Sequence, residues 1–426
     1  MKRKLIAAIG VAGMLFSVAA CGDSDSGDKK DSKGTDTKGK TLVVWSMDGS
    51  TPDPWKKAVG DAFEKKTGSK IKWESQVWNG IQQKITTALS ESSPPDVIEI
   101  GNTQTPAYAA TEGLAELGDL KTEIGGEWTE ALNKSSIYND KQYAVPWYFA
   151  NRVVLYNKKI WAEAGLKDTP KTRDEFFKAL DTIKEKTKAE PLYMAGQNWY
   201  FLDGLIIGKG ADLVKKEGDK YVSNLSDPKV GEAMELYKKY ASYSKAPKDK
   251  DEATPQQADV FAGGKTATFI GNASEASIAV KANAKIEKDI GYFTIPGETA
   301  EKPESVFLGG SNLAVPLRSK NQELAKEFLK IALADEHQIE FSKLQGFTPN
   351  KASLLPKVAG SNAGLDAAAP AAAFGGTTPL IPEWAAVENV PNPIKDYMTA
   401  VLNGKSHADA AKDADAEINK RLAQGS

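Results

Sequence analysis

The 426-residue chain carries 55 basic and 57 acidic side chains, a net charge of −2, so no global field draws it to nucleic acid. With two histidines and one cysteine it lacks the clustered ligands of a His/Cys metal site and the histidine that most nucleophilic triads need. It has no P-loop or dinucleotide fingerprint, and neither a cofactor nor a metal is expected.

The chain opens with Lys2, Arg3 and Lys4, then an apolar run over residues 5–18, then small residues up to Cys21. This predicts an export signal over 1–20, too short to span a bilayer stably. Residues 22–40 include no apolar side chain and predict a disordered tether. The remainder exceeds what one core usually holds, so two lobes are expected. Residues 41–45 read as a buried strand. Trp55, Val59, Ala62 and Phe63 follow at helical spacing up to a stop at Gly68. Ile71-Lys72-Trp73 begins a second strand, and Trp78, Ile81, Ile85 and Leu89 line one helix face. After Pro94-Pro95, residues 96–100 form a third strand. Strands alternating with helices predict a parallel sheet covered on both faces, with ligands at the carboxyl ends of the strands. Those ends carry Trp45 and Asp48 after one strand, and Asn102 and Gln104 after another. Further on, Trp147, Tyr148 and Phe149 precede the buried strand 153–156. That segment reads as a crossing between lobes with the ligand beside it. The competing reading is a core strand with ordinary core aromatics.

Val18-Ala19-Ala20-Cys21 resembles a bacterial lipobox, with Val18 where leucine is usual. It implies a lipidated Cys21 that anchors the protein to a membrane. The strand ending in Trp45, Pro94-Pro95-Asp96-Val97-Ile98-Glu99-Ile100, Leu114-Ala115-Glu116-Leu117, Ala144-Val145-Pro146-Trp147 and Leu155-Tyr156-Asn157-Lys158 follow in order. Together they resemble the extracellular solute-binding proteins of carbohydrate ABC importers, the maltodextrin-binding-like class. Trp161 stands where that family more often has a smaller apolar residue. The resemblance implies an α/β, two-lobed, periplasmic-binding-protein-like fold of type II, with hinge crossings and a ligand cleft between the lobes. The expected division is 41–149 plus 296–345 against 150–295 plus 346–426. It also implies a non-enzymatic monomer, lipid-anchored on the extracellular face of the bacterial cytoplasmic membrane. Its partners would be permease subunits with a separate cytoplasmic ATPase, and its ligand a sugar. Within the class the sequence looks most like receptors for chitin breakdown products such as N,N′-diacetylchitobiose, with maltose- and cellobiose-type ligands next.

Thr172 and Glu175 form a capping box. Residues 195–201 end a strand and enter a helix, where the family often supplies a stacking aromatic. Asp227-Pro228 is an N-cap with proline behind it, and Val230, Ala233, Tyr237 and Tyr240 read as a core face. Residues 261–272 resemble the family's helix, glycine turn and strand, whose exit loop faces the cleft. Strands are predicted over 290–295 and 307–316. In the second, Gly309-Gly310-Ser311-Asn312 reads equally as a close approach to ligand or a bulge. Ser319 with Gln322 predicts another capping box. Residues 321–329 resemble the family's return to the first lobe, and 345–350 its departure towards the second. His337 and His407 are expected at the surface.

A sugar offers apolar ring faces and hydroxyls, which aromatics and planar polar groups match. Trp147, Trp199 and Trp384 are the candidate stacking platforms, with Tyr148 a lesser one. Asp48, Asn102, Gln104, Arg152, Asn198, Asn272, Glu275 and Ser311 are the candidate hydrogen-bonding residues. A secreted glycoside hydrolase would instead pair Asp48 with Glu99, or Glu275 with Glu383. A receptor for a peptide or polyamine is the other alternative.

Overall fold

The structure is a computed structural model that describes residues 38–424. The export signal, Cys21 and the tether up to residue 37 lie outside the described residues. The strands are β1 (Thr41–Met47), β2 (Lys70–Gln76), β3 (Val97–Gly101), β4 (Ile137–Tyr138), β5 (Lys141–Gln142), β6 (Ala144–Ala150) and β7 (Arg152–Asn157). They continue with β8 (Val214–Glu217), β9 (Lys220–Ser223), β10 (Thr268–Asn272), β11 (Ile290–Phe293), β12 (Gly309–Ala314) and β13 (Thr348–Pro349). A six-stranded sheet runs β13-β6-β12-β3-β1-β2, and a three-stranded sheet runs β10-β7-β11.

β1, β2 and β3 are parallel, as the alternation with helices requires. The connecting helix Asp53–Thr67 buries Trp55, Val59 and Phe63 and stops at Gly68, whose φ of 69° suits a residue without Cβ. The sheet as a whole is mixed, contrary to the expected parallel sheet. β12 arrives from far along the chain and inserts antiparallel between β3 and β6. Its register shifts between Ser311 and Asn312, which is the bulge reading of the glycine pair. A Cβ on Gly310 would lie 2.3 Å from the carbonyl oxygen of Tyr148, so the glycine serves strand-to-strand approach inside the protein. On this sheet Trp55, Phe63, Trp147, Phe328 and Phe341 form one core. Phe328 belongs to the returning helix Gln322–Ala332.

The second sheet is buried on both faces. Val154, Ile270 and Phe293 enter a core with Phe176, Tyr237 and Trp384. The alternate positions Val153, Leu155, Phe269 and Ile290 enter another with Phe261. This is the period of two that a covered strand imposes. The chain passes between the sheets at Asn151, between β11 and β12, and after β13. Two stretches depart from the expected division. Val306 and Leu308 pack in the second core, and Glu304 pairs with Arg173 at 2.7 Å, so the return starts at Gly309. β13 pairs with β6, and Asn350 Nδ2 donates to Pro146 O at 2.9 Å, so residues 348–350 stay with the first sheet.

Local chemistry decides the caps. Thr172 and Glu175 make the full capping box, and Asp227 accepts from Lys229 N–H. Ser319 does not cap. Its hydroxyl donates to Asp96 at 2.7 Å, and the helix starts after Asn321 without a side-chain cap. The histidines are half-buried rather than on the surface. His407 Nδ1 bonds Tyr397 at 2.9 Å, and its ring covers Gly231. The hairpins β4–β5 and β8–β9 are too short and too polar to stand out in the sequence.

Candidate ligand-binding site

The loops leaving β1, β2 and β3 share one end of the first sheet. Asp48 is exposed there, and Trp78 is 46% exposed with its ring beside Gly101. Below the β1 loop lies Glu99, wholly buried. It accepts from Met47 N–H at 2.7 Å, Ser50 at 2.9 Å, Tyr148 at 2.8 Å and Ser311 at 2.7 Å. Burial pushes its carboxyl above the usual range, and these donors pull the other way. Gln345 adds bonds to the carbonyls of Gly49 and Ser50, both 2.9 Å. The loop that presents Asp48 is thus held from beneath by a polar knot. Tyr148 and Ser311 are parts of that knot. Tyr148 also stacks on Phe347 at 4.2 Å.

The second sheet presents Arg152 at the start of β7, directly opposite Asn272 at the end of β10. Arg152 donates to Glu252 at 2.5 Å, and its guanidinium carbon lies 5.3 Å from the Tyr200 ring centre. Tyr200 is flanked by Trp199 at 3.9 Å and Phe307 at 4.4 Å. Glu275 accepts from Asn272 N–H at 2.8 Å and Gln257 Nε2 at 2.9 Å, and burial pushes it up to about 7. The two sides meet at Glu388. Thr103 donates to it at 2.8 Å and Gln104 at 3.2 Å from the first sheet, while Trp384 Nε1 donates at 2.8 Å from the second core. Burial holds Glu388 above the usual carboxylate range.

Arg152, Asn272, Glu275 and Trp199 therefore come together at one end of the second sheet. Asn102 and Gln104 lie on the other side, where Asn102 bridges to Leu308 O at 3.1 Å. Three candidates are placed elsewhere. Trp147 is 1% exposed and stacks on Phe341 at 4.9 Å, because the outer helix that carries Phe341 covers it. Trp384 is wholly buried and orients Glu388. Asn198 is buried as the N-cap of the helix Trp199–Gly208 and accepts from Phe201 N–H at 3.3 Å. Sequence reasoning missed Tyr200, Glu252, Glu388 and Trp78. Only Trp78 had a readable signal, the glycine two residues later that starts the helix at Ile81.

Each hydrolase pairing has one carboxylate committed to other partners. Glu99 is sealed and saturated with donors while Asp48 is exposed, and Glu275 is committed to Gln257 and Asn272. Among the described residues no group of His, Cys, Asp and Glu side chains could hold a metal ion.

Two sheets with separate cores, repeated crossings and polar and aromatic groups at the facing ends define a two-lobed α/β binding protein. Solved structures share this fold. The GacH receptor of Streptomyces glaucescens, known in complex with acarbose, superposes with a TM-score of 0.77 at 24% identity, over 91% of this chain and 99% of that one. An ABC transporter solute-binding protein from Thermotoga lettingae, bound with alpha-D-tagatose, gives 0.77 at 22% identity, over 90% and 100%. Residues 48–339 match the model of the bacterial extracellular solute-binding proteins, and the chain belongs to that family. It is 64% identical over 424 residues, the whole of both chains, to the diacetylchitobiose binding protein DasA of Streptomyces coelicolor. It is 27% identical to a galactooligosaccharide-binding protein of Bacillus subtilis, over 96% of this chain and 94% of that protein.

Proposed function

We propose that this protein captures N,N′-diacetylchitobiose, or a closely related chito-oligosaccharide, outside the cell and delivers it to the permease of an ABC importer with a separate ATPase. The observation that carries the reading is the 64% identity to a diacetylchitobiose binding protein over the full length of both chains. The site agrees in chemistry: Trp78 offers aromatic surface, and Asp48, Arg152, Asn272 and Glu275 offer polar partners. Lipidation of Cys21 keeps the receptor, a monomer, beside its transporter. The lobes turn on the crossings at Asn151, between β11 and β12, and after β13. Ligand closes them only as far as the closed form adds contacts that the open form lacks.

The test is a thermal-shift and tryptophan-fluorescence titration of the purified protein. The panel holds diacetylchitobiose, N-acetylglucosamine, maltose, cellobiose, a dipeptide and a polyamine, with the solutions assayed for cleavage products. Ligand at a hundred times its dissociation constant adds ~2.7 kcal/mol of stability. A shift with the acetylated disaccharide and no products is the expected result. A response confined to other members of the panel overturns the choice of sugar, and product formation overturns the receptor.

A further inference from the structure

Arg152 and Asn272 sit opposite each other in the β7–β10 register and project to the same face of the sheet. Each has one end fixed. The Arg152 guanidinium is tied to Glu252 and lies near the Tyr200 ring, and the Asn272 backbone N–H is held by Glu275. Each also has one buried polar atom without any partner, Nε of Arg152 and Oδ1 of Asn272. Arg152 is 8% exposed. Nε–H can only donate and Oδ1 can only accept. A carboxylate would satisfy the first and leave the second unpaired, and an ammonium would do the reverse. The complement is an uncharged group that accepts on one side and donates on the other.

We propose that Arg152 and Asn272 form the subsite that reads a 2-acetamido group of the bound sugar, with its carbonyl on Arg152 Nε–H and its N–H on Asn272 Oδ1. A trans secondary amide carries its acceptor and donor on opposite edges, so it fits between two neighbouring side chains of opposite character. The assignment rests on the sugar reading given above and extends it to the residues that recognise the acetyl group. Both orphaned atoms are shut off from solvent, so leaving them unpaired is costly; an amide meets them with two separate atoms, whereas a hydroxyl meets both only through one oxygen on which they converge.

The experiment is isothermal titration of the full chain and of Arg152→Lys and Asn272→Leu. The ligands are diacetylchitobiose and cellobiose, the same β-linked disaccharide with a hydroxyl in place of each acetamido group, the latter measured by competition into the millimolar range. Lysine keeps the charge opposite Glu252 but has no donor at the Nε position, and leucine keeps the branched shape of Asn272. Each variant lowers the affinity for diacetylchitobiose about 10- to 100-fold and changes that for cellobiose less than about 3-fold. Equal losses for both sugars, or retained affinity for the acetylated one, overturn the assignment. If one variant fails to fold, the other carries the test alone. Wild-type protein that prefers cellobiose refutes the underlying choice of sugar before any variant is made, so the two failures are distinct.

Discussion

Trp147 separates a core role from a ligand role. Its ring is 1% exposed, stacks on Phe341 at 4.9 Å and contacts Trp55 at 5.6 Å. A buried tryptophan removes ~200 Å² from water, which at ~25 cal/mol per Å² is about 5 kcal/mol. Its indole N–H has no partner, so truncation breaks no hydrogen bond and relieves an unpaired donor, an offset of ~1–3 kcal/mol. The cavity left behind adds to the loss, and Trp147→Ala is expected to cost ~3–5 kcal/mol. Trp147→Phe keeps the stack on Phe341 and is expected to cost ~1–2 kcal/mol. Urea denaturation reads stability, and calorimetric titration of the folded variants reads affinity. Trp147→Phe should lower the urea midpoint and leave affinity for the sugar unchanged. Trp78→Ala should do the opposite, holding stability within ~0.5 kcal/mol and weakening binding about 10-fold. Loss of binding by Trp147→Phe at unchanged stability would refute the core assignment and return this ring to the ligand.

Three further expectations concern the polar framework. Glu388→Gln sets an amide N–H against one of three donors, Thr103, Gln104 or Trp384, and should cost ~1–3 kcal/mol in urea melts. It should also open the ligand-free protein in solution scattering, and an unchanged profile would count against Glu388 as a link between the sheets. Burial, with Asp212 and Glu388 nearby, pushes Asp203 up to about 8, and Arg152 opposes the shift. The folded state therefore keeps a proton that the unfolded chain loses near pH ~4, and stability falls as pH rises from there to about 8. Asp203→Asn should remove that slope and gain on the wild type across the same window, and parallel stability–pH curves would refute the assignment. Gly310→Ala drives a Cβ to 2.3 Å from the Tyr148 carbonyl oxygen and should cost ~2–3 kcal/mol or more, measured by thermal melting.

The parts of the fold legible in the sequence are those set by local chemistry. The parallel strands β1 to β3, the stop at Gly68, the Thr172 capping box and the Asp227-Pro228 helix start each depend on a few adjacent residues. The site was less legible because tryptophan serves packing and stacking with the same ring. Whether Trp147 is covered depends on Phe341, and whether Trp384 is covered depends on helices near the C-terminus. Neither dependence leaves a mark near the tryptophan itself. Trp78 shows the opposite failure. It is in phase with Ile81, Ile85 and Leu89, so periodicity places it on a helix face. Gly80, with φ of 74°, instead starts the helix at Ile81 and leaves the indole outside. Arg152 and Asn272 were nameable individually, but their pairing across β7 and β10 emerges only from the register.

The insertion of β12 between β3 and β6 also fixes an order of assembly. The three-stranded sheet draws all its strands from residues 152–293, whereas the centre of the six-stranded sheet waits for Gly309–Ala314. Until that segment is available, β3 and β6 each keep an unpaired edge, and the loop that closes β12 onto β3 spans about half of the chain. Such long-range pairing folds slowly. For a member of an extracellular family slow completion is an advantage, since the first lobe cannot lock until residues 309–314 join it.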